Sequence, residues 1–155
     1  MTSTANNPSD TAVTSSTATY DNAVYLNTSH GSEVINSRIT GNRYGVGVEA
    51  SEDVLLEGNT VSNNTYHGIN FGSNNHLAIV RNNNVRRNGQ YTVHVYGNNL
   101  NIMLSDNTIS NSGQHGLYLR DNNDDGLIER NVIQNNGYAG VYFLYNHNRV
   151  TLRDN

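Results

Sequence analysis

Histidine and tyrosine recur in this chain at a spacing that could place them side by side. His94 and Tyr118 are separated by 24 residues, and Arg120 follows closely. A His/Tyr pair can remove a proton and return it, and an arginine can neutralise a carboxylate through a bidentate pair. One interpretation is therefore a catalytic site for β-elimination or C5 epimerisation of a uronate. His94 and Tyr118 would transfer the proton, and Arg120 would hold the carboxylate.

A wider set of rings follows the same spacing and supports a second interpretation. Flat aromatic rings can stack on sugar faces, and rings at regular intervals can follow an extended polysaccharide. The candidate carbohydrate-binding residues are His67, Tyr96, His115, Tyr118 and Tyr142. A third interpretation is structural, because tyrosine favours β-strands and a ladder of rings can simply cover a sheet.

The segment 121–126 reads Asp-Asn-Asn-Asp-Asp-Gly and matches the first half of a calcium loop. Such a loop places several oxygen ligands around a sharp glycine turn, here Asp121, Asn123 and Asp125. The closing glutamate of the full loop would fall at Val132, so the loop is incomplete. The segment is either a calcium site or a solvated acidic turn, and no cofactor is required by the rest of the sequence.

A repeat of 24 residues determines where these side chains lie. Short pairs of apolar residues recur at fixed offsets, and their alternation is typical of strands. Turns rich in Asn and Gly separate the pairs, and the Leu-x-x-Leu-x-Leu core of a leucine-rich repeat is absent. The sequence predicts an all-β, right-handed single-stranded parallel β-helix with three short strands per coil and about six coils of 22–24 residues. It covers residues 20–155 and follows a flexible Thr/Ser-rich arm at residues 1–19.

Asparagine makes up 29 of the 155 residues, and the stacking of coils explains this abundance. Identical positions on successive coils lie about 4.8 Å apart, so their amides can bond one to the next. One predicted ladder contains Asn59, Asn83, Asn107, Asn131 and Asn155. A second predicted ladder, in another turn, contains Asn74, Asn98, Asn122 and Asn146.

One apolar residue per coil is expected to face outward on the third strand. This apolar stripe contains Leu55, Ile79, Met103 and Leu127. Exposed stripes of this kind often mark an interface, so a side-by-side homo-oligomer is expected. The end coils should leave unpaired backbone groups, and these predict head-to-tail assembly as an alternative.

Composition narrows the partners and the compartment. The formal net charge of −4 disfavours a nucleic-acid partner, and the chain has no cysteine for a disulfide or a thiolate metal site. No apolar run approaches membrane-spanning length, so membrane insertion is not expected. No signal peptide is visible. A polysaccharide partner nevertheless favours an extracellular or cell-surface location.

The pattern Asn-x-[Val/Ile]-x-x-Asn, then Gly-[Ile/Leu/Val]-x-[Phe/Leu/Val], then Ile-x-x-Asn, resembles repeats of the pectin-lyase-like superfamily. The segment 111–119, Asn-Ser-Gly-Gln-His-Gly-Leu-Tyr-Leu, is similar in style to coils of mannuronan C5-epimerases and of periplasmic copper-site maturation proteins. The resemblance covers residues 21–155 and implies a right-handed parallel β-helix. The catalytic Asp-Pro-His-Glu stretch of the epimerases is missing, because Pro8 is the only proline.

The predicted function is non-catalytic. The chain is expected to bind an extended polysaccharide, with uronate-containing polymers as candidates, or to self-associate into an extracellular assembly. The alternative is a polysaccharide lyase or C5-epimerase that acts through the His94–Tyr118 pair.

Overall fold

The computed structural model describes residues 11–14 and 22–155. Most of the predicted N-terminal arm therefore lies outside the described residues, but Thr11–Thr14 form a strand that pairs with the next coil. The described residues contain no helix of the length and hydrophobicity needed to cross a membrane. All the strand pairs they form are parallel, and they build three sheets of six strands each.

Each coil contributes one strand to each sheet. Sheet A contains β1 (Thr11–Thr14), β4 (Ser37–Thr40), β7 (Thr60–Ser62), β10 (Asn84–Arg86), β13 (Thr108–Ser110) and β16 (Val132–Gln134). Sheet B contains β2 (Asn22–Asn27), β5 (Tyr44–Glu49), β8 (Ile69–Phe71), β11 (Val93–Tyr96), β14 (Leu117–Arg120) and β17 (Val141–Leu144). Sheet C contains β3 (Glu33–Ile35), β6 (Leu55–Glu57), β9 (Ile79–Arg81), β12 (Met103–Ser105), β15 (Leu127–Glu129) and β18 (Thr151–Arg153). Coil 1 is β1–β3, and coil 6 is β16–β18.

The strand register confirms the predicted parallel β-helix. Leu56 pairs with Val80 and Leu104 with Ile128, so equivalent residues are 24 apart. The coils before residue 59 are shorter, and Val34 pairs with Leu56 at a separation of 22. The missing residues fall in turns, so the strands remain aligned.

The core is a set of apolar columns that run along the solenoid axis. In sheet C the column Val80, Leu104 and Ile128 is at most 1% exposed. The predicted inward column is therefore confirmed. Met103, one residue from Leu104, is half-buried and outward, as alternation along a strand requires.

The first asparagine ladder is confirmed. The side-chain amide of Asn59 donates to Asn83 Oδ1 (3.0 Å), and Asn83 donates to Asn107 Oδ1 (3.0 Å). The same bond continues from Asn107 to Asn131 and from Asn131 to Asn155, at 2.9 Å each. Each of these oxygens also accepts a backbone N–H of the preceding coil. Buried turns thus keep their polar groups satisfied, which their burial requires.

The second predicted ladder was wrong by one residue. The buried ladder consists of Asn75, Asn99 and Asn123, whose side-chain amides are joined by hydrogen bonds of 2.9 and 2.7 Å. The predicted residues are exposed: Asn74, Asn98, Asn122 and Asn146. Asn74 has a φ of 61° and Asn122 a φ of 49°, the left-handed conformation of a turn, which directs the next residue inward. Within the predicted set, the Asn122 side-chain amide donates a hydrogen bond to Asn98 Oδ1 (3.1 Å) at the surface.

A third ladder, which the sequence did not predict, runs along the turn between sheets A and B. Asn42 donates to Asn64 Oδ1 (3.4 Å), and Asn64 donates to Asn88 Oδ1 (3.0 Å). The ladder is interrupted at Ser112, whose hydroxyl donates to Gln114 O (3.1 Å). It resumes at Asn136, whose Oδ1 accepts the Ser112 N–H (3.0 Å).

Thr92 lies next to this interruption, at a position that is glycine in the neighbouring coils. A Cβ built on Gly68 would lie 2.6 Å from the Asn88 amide nitrogen, and one on Gly116 would lie 2.5 Å from that of Asn136. Thr92 is fully buried, and the residue that faces it from the next coil is Ser112 instead of asparagine. Threonine at position 92 therefore explains why the next coil has serine instead of asparagine at position 112.

Candidate functional site

The outer side of sheet B and the turn before it carry a continuous group of rings, here called the aromatic face. Its members are Tyr44, Tyr66, His67, Tyr91, His94, Tyr96, His115, Tyr118, Tyr138 and Tyr142. His94 pairs in register with Tyr118, and Tyr118 with Tyr142, so these rings form one column on the strands. Their side chains point outward because their neighbours on the same strands fill the core.

The rings contact one another along the solenoid axis. The ring centroids of His94 and Tyr118 are 5.3 Å apart, and those of Tyr118 and Tyr142 are 5.4 Å apart. A second column in the preceding turn stacks Tyr91 on His67 at 4.8 Å. His115 joins the two columns, because its ring stacks on Tyr142 at 4.6 Å. The coil spacing thus brings together the His and Tyr residues that the sequence singled out.

The middle of the aromatic face is buried although it lies outside the core. Tyr118 is only 6% exposed and His67 only 7%. Burial is the main cause of a raised pKa for the Tyr118 hydroxyl and of a pKa of about 3 for His67, which the neighbouring His94 lowers further. Burial also lowers the pKa of His115. These groups are therefore held in their neutral forms near pH 7.

His94 lies at the centre of the aromatic face in a defined tautomer. Its Nδ1 lies 2.7 Å from Asn70 Oδ1, which can only accept, so Nδ1 carries the proton. Its Nε2 is buried and has no hydrogen-bond partner among the described residues. Burial, and then the charge of Arg120, lower the pKa of His94 to about 4.

His94 and Tyr118 lie together, but as a stack. Their rings are inclined by only 19°, whereas direct proton transfer requires donor and acceptor atoms about 2.6–3.2 Å apart along a hydrogen bond. Arg120 forms an ion pair with Asp121 at 3.0 Å, and its guanidinium lies 5.5 Å from the Tyr96 ring centroid. The three predicted catalytic residues are therefore neighbours, and their contacts are with other rings, with Asn70 and with Asp121.

The exposed part of the aromatic face lies in the later coils. Tyr96 is 41% exposed, Tyr142 38% and Tyr138 70%. Arg43 adds positive charge at the other end, where its guanidinium lies 4.6 Å from the Tyr66 ring centroid. The face thus offers tyrosine edges and hydroxyl groups to solvent, with an arginine near each end.

Comparison with known proteins agrees with this architecture. The family model described as a right handed beta helix region matches residues 22–155. The chain belongs to this right-handed β-helix family. No curated protein matches the sequence. Membership of the β-helix family accounts for the coils and the ladders, but a fold of this kind carries no particular chemistry.

The three predicted calcium ligands of this β-helix are engaged elsewhere. Asp125 pairs with Arg149 at 2.8 Å, and Asp121 pairs with Arg120. Asn123 belongs to the buried ladder, where its Oδ1 accepts from Asn99. Within residues 22–155, no group of three or more His, Cys, Asp or Glu is arranged to hold a metal ion. Calcium binding at this turn stays a prediction.

The apolar stripe of the β-helix lies on the outer side of sheet C, where Leu55, Ile79, Met103 and Leu127 are in register and half-buried. Sequence reasoning missed Tyr44, Tyr66 and Tyr138 on the aromatic face. Tyr44 could have been found from the 22-residue coil that precedes His67. Tyr66 and Tyr138 occupy equivalent positions three coils apart, but the two coils between them carry Gln90 and Gln114 there, so no ring recurs at the 24-residue spacing.

Proposed function

We propose that this β-helix binds an extended polysaccharide along the aromatic face. The observation that supports it is the unbroken run of rings over successive coils, with Tyr96 in coil 4 41% exposed. A tyrosine offers a sugar both a flat apolar ring and a hydroxyl group. Because the coils repeat at about 4.8 Å, contacts of the same kind recur along the rod, which suits a polymer better than a single small molecule.

The charges of the aromatic face favour an acidic polymer. Arg43 and Arg120 are both exposed, and each lies close to a tyrosine ring. Arg120 also pairs with Asp121, so a carboxylate of the ligand would share or replace that partner. An arginine can bind a carboxylate through two parallel hydrogen bonds. A uronate-containing polysaccharide is therefore the preferred ligand, and its binding would place this protein outside the cell or at its surface.

The geometry supports binding more than proton transfer. His94 Nε2 is unprotonated and without a partner among the described residues, so it could accept a proton. However, a base with a pKa of about 4 is weak near neutral pH. The lyase or epimerase alternative predicts that His94→Gln binds oligouronates but no longer forms an unsaturated or epimerised product. Turnover by the natural chain would favour this alternative over simple binding.

The proposal is tested by calorimetric titration with oligouronates and neutral oligosaccharides of equal length. We expect Tyr142→Ala to remove one ring contact of about 0.5–1.5 kcal/mol, which lowers affinity roughly two- to twelvefold. Val132→Ala is the matched control, because Val132 is 54% exposed but lies on sheet A. Equal weakening by both substitutions, or no binding to any of the sugars, would contradict the proposal.

A further inference from the structure

The outer side of sheet C carries a shallow groove of about 460 Å³ that no described segment covers. The apolar stripe forms much of its floor through Ile79, Met103 and Leu127. Asp53, Leu77, Asn101 and Asp125 line one edge of it. An apolar floor with a charged edge is typical of an interaction surface.

Leu77 is the unusual residue of this groove. It has a φ of 56°, as do Asn101 and Asp125 at the equivalent turn positions of the next coils. Asn and Asp tolerate this left-handed backbone, whereas for other residues it costs about 1–2 kcal/mol. Leu77 is also 45% exposed. A large apolar side chain in a strained and exposed position is explained if another surface covers it.

We propose that the groove is the interface of a two-fold dimer in which sheet C of one chain packs on sheet C of a second copy. The rods are antiparallel, and the two-fold axis runs along β12. Met103 then faces the partner's Met103, and Ile79 faces the partner's Leu127. Leu77 lies at the edge of this apolar contact, opposite the turn that contains the partner's Asp125.

Charge complementarity supports this arrangement. With the axis on β12, coil 2 faces coil 6 of the second copy. Glu57 then lies opposite the partner's Arg153, and Asp53 lies opposite the partner's Arg149. Arg153 and Arg149 are well exposed, with 57% and 69% of their side-chain surface accessible. Within its own chain Arg153 pairs with Glu129, Arg149 with Asp125 and Glu57 with Arg81, so the contact between the two copies extends existing ion pairs across the interface. Each of these opposite-charge pairs occurs twice in the dimer because the contact is isologous.

Other arrangements of the same two faces bring like charges together. If the axis moves to lie between β9 and β12, Asp53 faces the partner's Asp125. If it moves between β12 and β15, Arg81 faces the partner's Arg153. In a parallel dimer each strand of sheet C packs against the same strand of the second copy, which runs in the opposite direction. Arg149 then faces the partner's Arg153. Opposed like charges at an interface are unfavourable, so the axis on β12 is preferred.

Disulfide crosslinking tests this geometry, because the chain contains no cysteine. In the full chain, Met103→Cys places one thiol from each copy at the two-fold axis, and mild oxidation should convert most of the protein into a covalent dimer. Thr108→Cys is the matched control, because this half-buried residue lies on sheet A. We expect at least fivefold less crosslinking there. Chains carrying Ile79→Cys should crosslink with chains carrying Leu127→Cys more than with themselves.

Sedimentation and crosslinking together test whether the dimer forms and whether its register is the one proposed. Sedimentation of the uncrosslinked chain should show a dimer that weakens in high salt, because salt screens the exposed charge pairs. Equal crosslinking of Met103→Cys and Thr108→Cys, or a monomer at every concentration, would overturn the proposal. Self-crosslinking by Leu55→Cys as strong as that by Met103→Cys would overturn the antiparallel register, because only a parallel dimer places both residues opposite their own copies. Denaturant unfolding of each variant shows whether the fold is retained.

Discussion

Thr92 and Ser112 should behave as one compensating pair. In the neighbouring coils the same two positions are glycine and asparagine, and a Cβ at the glycine would lie only 2.5–2.6 Å from the asparagine amide. Ser112→Asn alone should therefore push its amide against Thr92, and overpacking of this kind costs about 1–3 kcal/mol. Thr92→Gly alone should cost about 1–2 kcal/mol through lost burial and added chain freedom.

The double variant Thr92→Gly/Ser112→Asn should be at least as stable as the natural chain. It removes the overlap and restores two hydrogen bonds to the asparagine side chain at position 112. They are like those that the side-chain amide and the backbone N–H of Asn64 donate to Asn88 Oδ1, at 3.0 and 3.1 Å. Each such bond contributes about 0.5–1.5 kcal/mol. It also removes the Thr92 hydroxyl oxygen, which is buried without a partner among the described residues.

Urea denaturation of the four proteins, monitored by circular dichroism, gives the coupling free energy, which we expect to reach about 2–5 kcal/mol. The slopes of free energy against urea should be equal, so that the midpoints report stability alone. If the double variant is as unstable as Ser112→Asn, then Thr92 is not what excludes asparagine from position 112, and the packing argument fails.

Two further predictions concern the core and the effect of pH. Leu104→Ala should lower the free energy of unfolding by about 2–5 kcal/mol, whereas Met103→Ala should lower it far less; equal losses in denaturant melts would show that the strand faces are misassigned. His67 and His94 have pKa values of about 3 and about 4 in the folded chain. In the unfolded chain both histidines protonate near pH 6.5, whereas in the folded chain they stay neutral at that pH. The free energy of unfolding is therefore highest above about pH 6.5 and falls on acidification, by roughly 3–4 kcal/mol in total between pH 7 and pH 5. Unfolding free energies that stay level over this range, or that fall equally in His67→Gln/His94→Gln, would contradict the histidine origin of the loss.

The coils could be predicted from the sequence because their apolar pairs obey two periods at once, two residues within a strand and 24 between coils. The ladder from Asn59 was found for the same reason. The second ladder was misplaced because Asn74 and Asn75 repeat with the same period, and only the backbone turn decides which of them points inward. The strand Thr11–Thr14 was not predicted, because Thr11 lies 26 residues before its partner Ser37, a separation that matches neither the 22-residue nor the 24-residue spacing.

The sequence predicted which residues of the site lie side by side, but it did not predict their burial or the orientation of their rings. Equal spacing placed His94 beside Tyr118, and the register agrees. The spacing placed His67 on the same face, but it did not show that His67 and Tyr91 bury His94, because both rings approach it from a turn. The stacked orientation of His94 and Tyr118 follows from packing between side chains of different coils, which a single period does not determine.

Because each strand pairs only with the coil before it and the coil after it, the chain can be completed in the order in which it is made. A ribosome adds about 5–20 residues per second, so a new 24-residue coil emerges roughly every 1–5 s. Strand pairing is much faster than this, and each coil can dock on a finished neighbour while the next is still being synthesised. Growth of this kind needs no contact with distant parts of the sequence. Coil 5 docks on coil 4 with two of the three asparagine ladders continuous, because Ser112 interrupts only the third.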